Sequence, residues 1–357
     1  MKITKLEVIY PTYKENLNEW RPKLWQIITK ISTDKKNIFG FGTGGGGNAS
    51  KEVIDGHLGN MIINEEITNQ NDIMKIYEKL YEKSIPYGRG GIASMAISSL
   101  DLAIWDAFSK YYEIPIKNIL EKNSKKHINE IETYATGNNV EKYSNLSINN
   151  FKLSVRSSED FENDYKKLHS IISNTRKSIS NAKKIMLDCY MTWNLSYAKK
   201  MSKRLIDLNI EWIEDICTPD IILENKPYNK KIFDVQIAGG EHEFNYNNFQ
   251  LMKEHDSYDI WQPDITWCGG LSAILKIIDI NSKKYKIILH RGGEPWGLPL
   301  IQSGLITNMA ELHNPKTNNI ELEQWKNTSV KFIQDGILKA NDYLGFGSNP
   351  IKEIFTR

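Results

Sequence analysis

KKIMLD at residues 183–188, IEWIED at 210–215, VQIAGGE at 235–241, YDIWQPD at 258–264 and YKIILH at 285–290 are five short apolar runs, each closing on ionisable side chains. Their landmark residues, Asp188, Glu214, Glu241, Asp264 and His290, are separated by 26, 27, 23 and 26 positions. One strand, one helix and two loops need about that length. ETYAT at 132–136 and NFKLSV at 150–155 precede the set, and NNIELE at 318–323 follows it. Eight such units predict a (β/α) barrel over residues 126–330.

Upstream the grammar differs. ITKLEVIY (3–10) and WQIITKIST (25–33) read as strands, rich in Ile, Val and Tyr. FGFGTGGGGNAS (39–50) reads as a short strand and a glycine-rich loop. NDIMKIYEKLYEKS (71–84) and SMAISSLDLAIWDAFSKYY (94–112) carry apolar residues at helical steps. Strands followed by helices make residues 1–125 a small α+β domain. The tail 331–357, with DGILKANDYLGFGSNP at 335–350, is expected to return to it.

Composition narrows the function. In 357 residues, 46 basic side chains nearly balance 44 acidic ones, which argues against nucleic acid or a membrane surface as partner. Three cysteines, Cys189, Cys217 and Cys268, form no CxxC pair and fit a reducing cytoplasm better than a disulfide framework. No run approaches 18 apolar residues, and the N-terminus lacks a secretory apolar stretch.

Active-site groups of such a barrel sit at the C-terminal ends of its strands. A single acid there is usually a solvated loop residue. Asp188, Glu214 and Glu241 end three successive strands, and three converging carboxylates repel unless a cation lies between them. Oxygen ligands select a hard ion, Mg²⁺ first. A lone histidine after an apolar run is more often structural. His290, one unit after Asp264, is a candidate base whose tautomer a neighbouring carboxylate would fix. His242 is a weaker candidate, and Arg291 and Glu294 in HRGGEPWG are expected to line the pocket. GTGGGG (42–47) matches GxGxxG formally, without the βαβ context of a nucleotide site. A mobile loop near the substrate is the expectation there.

Together, IMLDCYMTWN (185–194), EWIED (211–215), GGEHE (239–243), DIWQPDITWCGGL (259–271) and SMAISSLDLAIWDAFSK (94–110) resemble the mandelate-racemase subgroup of the enolase superfamily, and within it the acid-sugar dehydratases. The match runs over roughly residues 38–300. The resemblance implies an α+β cap on a (β/α)₇β barrel, Mg²⁺ on Asp188, Glu214 and Glu241, and His290 as general base oriented by Asp264. It implies a last-strand glutamate facing the substrate carboxylate, for which Glu321 is chosen and Glu323 is the alternative, with Lys152 as a further contact. It also implies a symmetric homo-oligomer acting on a small-molecule acid sugar. Many relatives carry a second lysine base where FKLS (151–154) has Ser154, which argues against racemisation. An epimerase or cycloisomerase would need another acid/base, such as Tyr190 or His242. The loop around Asn16 to Lys23 is shorter than in the relatives, and such loops shape substrate choice.

Overall fold

The computed structural model describes the chain except residues 14–20, 122–127, 159, 180–181, 221–232, 314, 317–318, 321 and 356–357. β1 (Ile3–Ile9), β2 (Ile27–Thr33) and β3 (Phe39–Gly44) form an antiparallel sheet in that order. Both expected N-terminal strands are present. Helix Gln70–Ser84 starts at a capping box, in which Asn69 and Asp72 satisfy each other's backbone N–H groups. Helix Ile92–Tyr112 is long and apolar enough to cross a membrane, but 89% of the relevant window is buried in the fold. It is the core helix of the cap.

The glycine-rich stretch corrects the expectation of a mobile loop. Gly42, Thr43 and Gly44 belong to β3, and Gly47 opens helix Gly47–Gly56. A Cβ at Gly40, Gly42 or Gly44 would run into the carbonyl oxygens of Ala103, Ser99 or Met95. These glycines let the backbone of helix Ile92–Tyr112 lie directly on the strand.

The barrel strands are β4 (Glu130–Thr136), β5 (Asn150–Ser154), β6 (Lys184–Asp188), β7 (Ile213–Glu214), β8 (Ile237–Gly239), β9 (Ile260–Trp261), β10 (Lys286–Ile287) and β11 (Met309–Leu312). They pair in parallel from β4 to β10, and β11 pairs with β4 in parallel. Helices Phe161–Ser178, Leu195–Leu205, Tyr246–His255, Gly270–Asn281 and Leu298–Gln302 follow β5, β6, β8, β9 and β10. This is the (β/α)₇β architecture. The eighth strand corrects the sequence reading: it is MAEL at 309–312 and not NNIELE at 318–323.

The chain end divides its contacts. A hairpin, Val330–Gln334 and Ile337–Ala340, adds antiparallel to β4, Leu338 opposite Ile131. Farther on, the amides of Gly345 and Phe346 donate to Ser109 Oγ (2.7 Å) and Asp106 Oδ1 (2.9 Å) on the cap helix.

Cap and barrel meet where helix Gly270–Asn281 begins. Buried Asp101 accepts the amide (3.0 Å) and hydroxyl (2.5 Å) of Ser272, and Ser98 Oγ accepts the Gly269 amide at 2.8 Å. Gly270 has φ 86°, and a Cβ there would collide with the Asp101 carboxylate.

Candidate active site

Tyr134, Met186, Trp212, Ala238, Ile260, Ile288 and Met309 form a separate buried cluster, one residue from each of seven barrel strands or their ends. They plug the barrel interior. Strand side chains two positions apart share a face. Two residues beyond that plug stand Thr136, Asp188, Glu214, Gly240, Gln262, His290 and Glu311. Simple alternation therefore places a polar layer on top of the apolar one, at the strands' C-terminal ends. Gly240, with φ 125°, turns the chain after β8, and Glu241 follows it into the mouth.

Lys152 crosses this layer from β5. It is fully buried and pairs with Glu214, with Glu311 Oε1 at 2.6 Å and with Asp188 Oδ2 at 3.9 Å. Burial opposes its charge, but the carboxylates hold its pKa well above the usual lysine value. Glu214 also accepts from Gln262 Nε2 (2.6 Å) and Trp212 Nε1 (3.2 Å). Burial pushes Glu214 up to about 7, and the charges of Asp188, Glu311 and Glu241 add to that rise against Lys152. Asp188 is raised by burial and by Glu241, although Lys152 and the Tyr190 amide favour its charge.

The opposite side of the mouth holds the histidine. His290 Nδ1 lies 2.9 Å from Asp264 Oδ2, and Nε2 lies 3.1 Å from Glu241 Oε2. Asp264 accepts the Thr266 amide and hydroxyl, both at 2.7 Å. Burial would lower the His290 pKa, yet Glu241, the Asp264 bond and Glu311 lift it to about 10. Burial raises Glu241, but His290, His242 and Lys152 bring it far below the usual range.

Of the residues chosen from sequence, Asp188, Glu214, Glu241, Asp264, His290 and Lys152 come together. His242 Nε2 is 3.1 Å from Glu241 Oε1 and 3.4 Å from Asp215 Oδ2. Tyr190 gives its amide to Asp188 Oδ1 at 3.0 Å, while its exposed ring puts the hydroxyl 3.3 Å from Ser154 Oγ. Arg291 and Glu294 form a buried ion pair behind Asp264. The guanidinium meets the glutamate at 2.6–2.8 Å, Arg291 Nη1 is 4.0 Å from Asp264 Oδ2, and the Trp25 ring lies 5.0 Å away.

Glu321 lies outside the described residues. Glu323 lies beyond β11, beside Gln324, whose side chain bonds the Thr12 carbonyl. The last-strand carboxylate is instead Glu311, which the sequence reading missed. It takes Thr136 Oγ1 at 2.5 Å, the Arg291 amide at 2.7 Å and Lys152. Asp215, buried and raised well above the carboxylate range by burial and by Glu241, was also missed. So were His313, 3.2 Å from Glu311, and Trp267, whose ring lies 5.6 Å from His290 and 6.1 Å from His242.

The donor set suits a hard cation. Asp188 and Glu214 are each pushed up in part by the other anions, and the two residues stand in register on adjacent strands. A capped (β/α)₇β barrel with acids and the Asp264–His290 pair at its mouth is a recognisable class. The model of enolase C-terminal domain-like proteins matches residues 136–351, and that of the mandelate racemase/muconate lactonizing enzyme N-terminal domain matches 27–120. The chain belongs to the enolase C-terminal domain-like family. A protein of Caldivirga maquilingensis, provisionally named L-rhamnonate dehydratase, is 26% identical over 305 residues, 85% of this chain and 75% of its own length. Rhamnonate dehydratase from Gibberella zeae complexed with Mg superposes with TM-score 0.84 at 22% identity, covering 99% of this chain and 95% of that one. The 3,6-anhydro-D-galactonate cycloisomerase from Zobellia galactanivorans gives TM-score 0.80 at 23% identity, covering 99% and 98%.

Proposed function

We propose that this protein is a Mg²⁺-dependent acid-sugar dehydratase, a hydro-lyase acting on an aldonate such as an L-rhamnonate-like acid sugar. The observation that carries the reading is the bonded Asp264–His290 pair aimed at Glu241, with Ser154 and no lysine at the end of β5. The names of the Caldivirga and Gibberella proteins support the dehydratase class. Asp188, Glu214 and Glu241 would hold the cation. Bound there, Mg²⁺ stabilises negative charge that grows on the substrate carboxylate as the α-proton leaves.

A cation held by Glu241 would counter that carboxylate, one of the charges that lift His290, and so favour the neutral, basic imidazole. His290 Nε2 accepts the C2 proton, while Asp264 accepts the hydrogen bond from Nδ1–H and fixes the ring's orientation. Lys152 would contact the substrate carboxylate, and Glu311 holds the lysine ammonium in place. His290 returns its proton to the 3-hydroxyl, which leaves as water. The enol product tautomerises to a 2-keto-3-deoxy acid sugar. The partner is a small molecule, the expected assembly a homo-oligomer and the expected compartment the cytoplasm.

A panel of aldonates and aldarates with Mg²⁺, read by semicarbazide for 2-keto-3-deoxy product, tests this. Product from one or a few substrates supports the reading, and a blank panel with Mg²⁺ bound sinks it. The second reading is an epimerase or cycloisomerase. It is favoured by the Tyr190 hydroxyl beside Ser154, with the Arg156 guanidinium 4.8 Å from the Tyr190 ring centroid. Solvent deuterium entering recovered substrate without loss of water would favour it.

A further inference from the structure

Two imidazoles and a carboxylate gather at the ends of β10 and β11, beside the three-carboxylate set. His290, Glu311 and His313 each offer one donor atom, and these atoms lie within 4.8 Å of one another. The two rings stand edge to face, their centroids 5.5 Å apart at 86°. His313 Nε2, 3.2 Å from Glu311 Oε1, is shielded from solvent and makes no hydrogen bond of good geometry among the described residues. The Tyr143 hydroxyl donates toward the carbonyls of His313 and Thr136, each at 3.2 Å, and anchors this strand end. His290 presents Nδ1 to Asp264, the arrangement by which carboxylates orient metal-binding histidines and leave Nε2 as the ligand.

Two nitrogens and one oxygen suit a borderline ion, whereas Mg²⁺ favours oxygen alone. Donors bonded to zinc at about 2.0–2.2 Å in a tetrahedron lie roughly 3.3–3.6 Å apart. The Glu311–His313 separation of 3.2 Å is within about 0.1 Å of that range, and shifts of about 1 Å would bring in His290. Glu311 Oε1 would give up Lys152, which keeps Glu214.

We propose that His290, Glu311 and His313 form a second cation site that takes Zn²⁺ in preference to Mg²⁺, and that filling it silences His290. The silencing rests on the proposed function, and the binding does not.

The test uses the full chain saturated with Mg²⁺ and titrated with Zn²⁺. Bound zinc is counted by equilibrium dialysis and elemental analysis for the wild type, His313→Asn and His313→Gln. The expected result is one zinc per wild-type chain, with affinity falling at least about tenfold in both variants and Mg²⁺ binding unchanged. In the same samples zinc should inhibit the wild type while His313→Gln, each rate being referred to that protein's own zinc-free turnover, resists it. Equal zinc affinity in both variants, or no zinc bound by the wild type, overturns the proposal. Zinc bound through His313 in a chain that dehydrates no acid sugar upholds this site and removes only the functional reading.

Discussion

Asp101, at the seam between cap and barrel, and Asp264, at the barrel mouth, are bonded locally in the same way. Each is buried, and each accepts the amide and hydroxyl of one residue, Ser272 for the first and Thr266 for the second. Their acidities diverge. Burial pushes Asp101 up to about 7, and the Ser272 bonds do not offset it. Burial also raises Asp264, but the bond and charge of His290, together with Arg291 and Thr266, bring it below the usual aspartate value. Neutral donors make a buried carboxylate tolerable, while cationic neighbours keep it charged. The seam needs a latch; the mouth needs a permanent anion behind a base.

The contrast is most exposed at His290. Changing His290→Asn should cut product formation by roughly 10²–10⁴-fold, the usual worth of a positioned acid–base group, while Mg²⁺ still binds. Turnover within tenfold of wild type would end the assignment. Asp264→Asn keeps the shape but removes the anion. A loss on the order of 10²-fold in kcat, with substrate KM little changed, is expected. A pure rise in KM would make Asp264 a binding residue instead.

Asp188→Asn removes one of three anionic ligands, so isothermal titration should show Mg²⁺ affinity lower by about tenfold or more. Unchanged affinity breaks the triad.

The smallest effect belongs to the seam. The Asp101 pKa is higher folded than unfolded, so the fold binds this proton more tightly. Asp101 therefore costs stability increasingly as pH rises from its ordinary value of 3.8 to about 7. Asp101→Asn should leave turnover near wild type. Its melting temperature relative to wild type should climb by a few degrees across that window. A difference that stays flat with pH contradicts the neutral-latch account.

Much of this was legible beforehand, for physical reasons. The barrel announces itself because each strand is short, apolar and closed by an ionisable residue, at a spacing set by the length of one helix. Asp188, Glu214, Glu241, Asp264 and His290 fall out of that pattern. Glu311 did not, because MAEL is weakly strand-like in isolation and the neighbouring NNIELE carries two conspicuous acids. A signal was nevertheless present. The apolar plug residues sit two positions before Thr136, Asp188, Glu214 and His290, and Met309–Glu311 repeats that step. His313 follows Glu311 by the same step. The glycine stretch was misread because its reason lies on a distant helix, which no local pattern displays.

That contact sets a mechanical gauge inside the cap. Gly40, Gly42 and Gly44 meet Ala103, Ser99 and Met95, so two residues of strand are matched to four of helix. Two strand residues advance about 6.6–6.8 Å and four helical residues about 6.0 Å, close enough for three successive teeth to mesh. A slip by one strand residue would drive the side chain of Phe41 or Thr43 into the helix backbone. The helix is thus indexed to a single position, and with it Ser98 and Asp101, which grip Gly269 and Ser272. Those grips lie a few residues past Asp264, so a row of hydrogen atoms in the cap calibrates where the barrel's charged pair stands.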